Sequence, residues 1–97
     1  MASTKEYRDY VLEQLNLLGD ISYKPMMGEY LLYYQDILFG GIYDDRLLIK
    51  EVKSNKKYEL SEKIPYSGAK SMYQIENIED QNEIRQIILD TCKDLKK

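Results

Sequence analysis

Between Tyr30 and Lys50 the chain is almost continuously apolar and tyrosine-rich, and it is interrupted only by the polar pairs Gln35-Asp36 and Asp44-Asp45. Apolar runs of strand length, separated by two turn-forming residues, predict a three-strand meander. Counting outward from two-residue turns pairs Tyr34 with Ile37, Leu32 with Phe39 and Tyr30 with Gly41. The second turn pairs Tyr43 with Arg46 and Gly41 with Leu48. In that register Leu31, Tyr33, Leu38, Gly40, Ile42, Leu47 and Ile49 share one uncharged face, which is expected to lie beneath helices. Tyr30, Leu32, Tyr34, Ile37, Phe39, Tyr43, Arg46, Leu48 and Lys50 share the other. A turn longer by one residue would invert the strand that follows it. The second face is too apolar to stand in water, so it requires a cover: the final helix, the 51–70 segment, or a partner.

The flanks predict helices. Ser3 and Glu6 fit a capping box, Tyr7, Val11, Leu15 and Leu18 share a helical face, and Gly19 supplies a stop, giving a helix over 4–18. Ile21 to Met27 reads as extended, because Pro25 is excluded from a helix interior and biases Lys24 away from helical geometry. Lys53 to Lys57 is polar and reads as a loop, Ile64 to Ala69 as a turn, and Met72 to Ile78 as a further strand. Asp80 and Glu83 form a second capping box before a helix whose Ile84, Ile88, Thr91 and Leu95 share a face. Lys93, Lys96 and Lys97 stand at its C-terminal end, where the helix dipole favours cations. Helix, strands, helix is the order of an α+β domain with an antiparallel sheet flanked by N- and C-terminal helices, and residues 1–97 make a single domain.

Composition narrows the chemistry. The chain has 43% hydrophobic and 32% charged residues, as ordinary globular domains do. It has no histidine and one cysteine, Cys92. The usual general base, the Ser-His and Cys-His nucleophile pairs and thiolate–imidazole zinc sites are therefore missing. No glycine-rich phosphate loop occurs; Gly40-Gly41 lies within a strand, where glycine marks a bulge or the close approach of another backbone. Asp44-Asp45 reads as turn chemistry, since hard cations need more oxygens than two neighbours supply. A lone Cys92 reads as a small hydrophobe. The expectation is a non-enzyme that needs neither metal nor cofactor, is not membrane-bound, and resides in the cytoplasm.

The formal net charge is −3. Residues 50–70 are nonetheless basic, with six lysines against three glutamates. A chain acidic overall is a poor general polyanion binder, so any DNA contact would be local and weak.

The stretch from Met26-Met-Gly-Glu-Tyr30 through Gly-Gly-Ile-Tyr-Asp-Asp-Arg-Leu-Leu-Ile-Lys50 resembles the N-terminal domain of the TfoX/Sxy family of bacterial competence regulators. Pro65-Tyr-Ser-Gly-Ala-Lys-Ser-Met-Tyr73 and Thr91-Cys92 resemble the segments that short family members carry before and within their last helix. Met27 departs from the phenylalanine that many members have. The resemblance covers roughly residues 5–96. It implies an α+β fold similar to type III secretion chaperones and offers no catalytic motif. The helical second domain of long members, similar to helix-hairpin-helix DNA-binding modules, lies outside it.

Three functions compete on this basis. One is a transcription-associated regulatory module acting through protein contacts. Another is a chaperone-like or dimerisation domain with no role in transcription, with Tyr30, Leu32, Tyr34, Phe39, Tyr43, Arg46 and Leu48 as a protein-binding or homodimer face. The third is a weak nucleic-acid binder using Lys53, Lys56 and Lys57 beside exposed tyrosines.

Overall fold

A computed structural model describes residues 2–96. Helix α1 (Lys5–Gln14) leads through a 3-10 turn, Asn16–Leu18, into strands β1 (Ile21–Met26), β2 (Glu29–Tyr34), β3 (Ile37–Ile42) and β4 (Leu47–Ile49). A second 3-10 helix, Lys53–Tyr58, precedes β5 (Ser61–Lys63), β6 (Met72–Gln74) and helix α2 (Gln81–Leu95). The strands form one antiparallel sheet in the order β1-β2-β3-β4-β6-β5. The expected α+β architecture is therefore present.

The turns form for the reason the sequence suggests. Gln35, Asp36, Asp44 and Asp45 all take left-handed backbone conformations, as do Met27 and Gly28 between β1 and β2. Two consecutive left-handed residues give a turn whose twist matches that of a hairpin. The α1 cap lies one residue later than expected: Thr4, not Ser3, accepts from Tyr7 N. The α-helix ends at Gln14, the 3-10 turn carries the chain to Leu18, and Gly19 at φ 63° closes it. Asp80 caps α2 as expected, accepting from Glu83 N.

Two expectations about the sheet and its neighbour fail. Tyr34 pairs with Ile37 and Tyr33 with Leu38, but Leu32 then pairs with Gly40 and Tyr30 with Ile42. Phe39 is the extra residue of a β-bulge, which puts two consecutive residues against one and reverses the strand's parity beyond it. The second hairpin keeps its predicted register, with Gly41 opposite Leu48 and Gly40 opposite Ile49. The two predicted faces are thus recombined halfway along β3. The second failure is the lysine run, which is a 3-10 helix and not a loop. Asn55, fully buried, holds it in place: its Nδ2 donates to Lys50 O (2.8 Å) and Thr91 Oγ1 (2.9 Å), and its Oδ1 accepts from Val52 N (3.1 Å). Ser54 adds bonds from its N to Asp94 and from its Oγ to Asp90 O on α2.

Both helices cover the same side of the sheet. Val11 and Leu15 from α1 and Ile84, Ile87 and Ile88 from α2 bury against Leu32, Phe39, Ile42, Leu47 and Ile49. A fully buried side chain of this size contributes about 1.5–3 kcal/mol, so this layer is the principal source of stability.

Candidate functional site

The recombined register leaves one face of the sheet without a helix. Strand parity puts Leu31 and Tyr33 of β2, Leu38, Gly41 and Tyr43 of and just after β3, and Leu48 of β4 on it. Leu31, Tyr33 and Leu38 are only partly buried. The residues 64–71 loop folds over one side of this surface and leaves a shallow trough of about 840 Å³. Leu31 and Leu38 form its floor; Tyr43, Pro65, Tyr66 and Ala69 form a wall, with Lys50, Glu51, Lys70 and Met72 around the rest.

Three local devices shape the trough. Gly41 has no room for a side chain: a Cβ there would stand 2.5 Å from Tyr30 O and 2.8 Å from the Tyr43 ring. The Tyr43 ring can therefore lie across the strand, where Tyr66 stacks on it at 6.2 Å between centroids and 13° between planes. Arg46 fastens the loop from the turn, donating from Nε to Tyr43 O (3.2 Å) and from a terminal nitrogen to Ile64 O (3.3 Å). Burial raises the Tyr43 phenol above its ordinary range, with Tyr66 and Glu29 adding to the effect, so the ring stays neutral. The Asp44-Asp45 turn is held by the N-terminal segment: Asp45 N donates to Ser3 Oγ, Ser3 Oγ donates to Glu29, and Thr4 N donates to Asp45 Oδ1. Those carboxylates serve turn and cap chemistry, and among the described residues no acidic or thiol cluster gathers in a metal-binding arrangement.

The sequence-predicted site is divided between two sides. Tyr30, Leu32 and Phe39 lie in the helix-covered core, and Tyr34 packs against it half-buried. Tyr30 is further enclosed by Tyr23, edge-on at 5.8 Å, and by the Arg8 guanidinium at 5.3 Å. Only Tyr43 and Leu48 fall on the side away from the helices, where both are buried, with Arg46 at its edge as a fastener. Lys53, Lys56 and Lys57 project from the 3-10 helix beside α2, away from the open tyrosines. Lys57 pairs with Asp90 Oδ2 at 3.2 Å. Tyr58 donates a short hydrogen bond to the same carboxylate. Burial alone would raise Asp90, but these donors and Gln86 hold it below the ordinary carboxylate range, while the Tyr58 phenol is pushed up to about 12. Cys92 is buried and its thiol is pushed up to about 11, an inert state at neutral pH. Sequence reasoning missed Leu31, Leu38, Tyr66, Lys70 and Met72 as one surface. The family-like block from Pro65 to Tyr73 was the available signal, since it supplies the wall.

A helix pair on one face of an antiparallel sheet and an open trough on the other define a small one-sided α+β domain. The family defined as the TfoX N-terminal domain matches residues 13–92, and the chain belongs to that family, which is a non-catalytic one. No curated protein matches the chain. No helix among the described residues is long and apolar enough to cross a membrane.

Proposed function

We propose that this domain is a non-catalytic regulatory module that holds a protein partner on the open face of its sheet. The trough over Leu31 and Leu38 carries this reading, because apolar surface framed by polar groups is what a docking site presents. Membership in the TfoX N-terminal domain family supports a regulatory setting, as in competence and transcription control. A cytoplasmic location belongs to the same reading, since the lone thiol is buried and unpaired. The partner in this reading is a different chain, one whose acidic groups match the Lys50 and Lys70 that line the trough. Direct binding of nucleic acid through the 53–57 lysines is the weaker reading, with Lys57 committed to Asp90.

Leu38→Glu puts a charge on the trough floor, and Leu17→Glu does the same at an exposed apolar residue elsewhere. Quantitative affinity purification from the native cell with both variants and the wild type tests the proposal. Partners lost with Leu38→Glu and retained with Leu17→Glu are expected, with both variants folded by circular dichroism. Identical partner profiles for all three would refute it. Sedimentation of the wild type should give a monomer.

A further inference from the structure

Resting on that reading, we infer that the trough takes an acidic peptide segment of its partner, one that presents a large apolar side chain flanked by carboxylates. The first support is how the cations are placed. Lys50 and Lys70 line the trough. The strand register adds Lys24, opposite Leu31 at one edge of the sheet, and Lys63, opposite Met72 at the other. Leu31 and Met72 are themselves trough residues, so four lysines surround one apolar patch. None of them has an ion-pair partner among the described residues. Glu51 lines the trough, and the Ser71 hydroxyl lies within hydrogen-bond distance of both Glu51 (2.8 Å) and the neighbouring Glu62 (3.1 Å).

This basic patch sits on a chain whose net charge is −3. With four lysines set against the Glu51 and Glu62 carboxylates, the open face is locally cationic, and an anionic segment is drawn to it. Charge arranged in this way steers and orients a partner more than it adds raw affinity.

The trough lining then selects the kind of anion. Leu31, Leu38, Met72 and Ala69 are aliphatic and suit an apolar side chain. Nucleic acid would need a row of stacking rings, but Tyr43 is already stacked on Tyr66, which leaves the outer face of that pair and the half-buried Tyr33. A phosphodiester backbone would also bring a long run of charge to an acidic body, which a short peptide does not. A second copy fits poorly because its matching face carries the same excess of lysines, so the two patches repel overall.

The experiment is selection of a display library of random twelve-residue peptides on the wild-type domain, followed by binding of the best synthetic peptide to variants. Enrichment of peptides combining Asp or Glu with Leu, Ile, Phe or Trp is expected. Reversing both trough cations, Lys50→Glu with Lys70→Glu, should weaken the peptide about tenfold, the order given by changing two exposed pairs from attraction to repulsion. Rising salt should weaken it too. Enriched peptides without acidic excess, or affinity unchanged by charge reversal, would overturn the inference. If such peptides still lose binding with Leu38→Glu, the face remains a docking site and only the acidic partner is removed; no enrichment at all would overturn both. A fluorescent twenty-nucleotide oligodeoxythymidine bound as tightly and released by Leu38→Glu would reassign the face to nucleic acid. A concentration-dependent dimer dissolved by Leu38→Glu would reassign it to a second copy.

Discussion

Gly40→Ala is the sharpest test of the close approach between β3 and β4. Gly40 lies opposite both Leu32 and Ile49, and a Cβ built on it would stand 2.1 Å from Leu48 O and 2.8 Å from Ile49 Cα. Both atoms are backbone, so no rotamer change can relieve the contact. β4 would have to withdraw from β3 by about 1 Å, given ordinary carbon–oxygen contacts of roughly 3.2 Å or more. That movement loosens ladder bonds such as Lys50 N to Phe39 O, now 2.8 Å. Overpacking usually costs about 1–3 kcal/mol, and a clash with backbone belongs at the upper end, near 3 kcal/mol. For a domain of this size each kcal/mol moves the melting temperature by about 4–8 °C, so a drop of roughly 12–24 °C is expected. Gly40→Val should be worse still, despite valine's preference for strands. Gly68→Ala is the control: its Cβ meets open space, and the only cost is the left-handed φ of 87°. That cost is about 1–2 kcal/mol. Thermal and urea unfolding by circular dichroism measure all three. A Gly40→Ala protein that melts within a few degrees of the wild type would refute the close β3–β4 approach.

Three further outcomes follow from the same contacts. Gly41→Ala should push the Tyr43 ring off the strand and break its stack on Tyr66, which raises Tyr66 exposure to solvent in quenching or iodination experiments; an unchanged Tyr66 would contradict the trough wall described above. Asn55→Ala strands Val52 N and Lys50 O, and with a buried group left unsatisfied costing about 1–3 kcal/mol, a loss of at least 2 kcal/mol by urea unfolding is expected. The Tyr58 phenol has its folded pKa raised from 10.0 to about 12, so its contribution to stability is complete below pH 10.0 and is lost as pH rises toward 12. Tyr58→Phe should therefore narrow the gap to wild type across that window, and a parallel pair of stability curves would refute the bond to Asp90. Asp90, held low, behaves oppositely: its contribution is present above its unfolded value of 3.8 and is lost as pH falls through the lower folded one.

The elements were legible where one local rule decides them. Asp80 announces α2, Gly19 ends the first helical segment, and the two polar pairs of the meander take the left-handed conformations such turns need. The bulge was not legible, because a shift of one residue within β3 leaves the hydrophobic pattern equally apolar on either side. Only the Gly40-Gly41 pair hinted at it, and glycine in a strand does not say whether the bulge falls before or after it. The 3-10 helix was hidden for a different reason. Lys53 to Lys57 has no apolar period, and its order comes from Asn55 reaching Thr91, thirty-six residues away. A polar anchor at that separation leaves no mark on the local pattern. The trough suffered from both effects, since its floor depends on the bulge and its wall on a loop fastened by Arg46.

The bulge also explains why so apolar a meander can sit on a single helix layer. Without it, Tyr30, Leu32, Tyr34, Ile37 and Phe39 would share a face with Tyr43 and Leu48, while Ile42, Leu47 and Ile49 would turn away from them. Two helices could then cover only half of the large side chains, whichever face they chose. Inserting Phe39 brings Leu32, Phe39, Ile42, Leu47 and Ile49 to one side, where all five are fully buried. The two glycines make this geometry feasible in different ways: Gly40 admits the β4 backbone, and Gly41 admits the Tyr43 ring. What remains on the far side is a smaller apolar remnant, Leu31, Tyr33 and Leu38, only partly buried. Four lysines without ion pairs among the described residues surround it. The same one-residue insertion that completes the core thus leaves the surface on which a partner can dock.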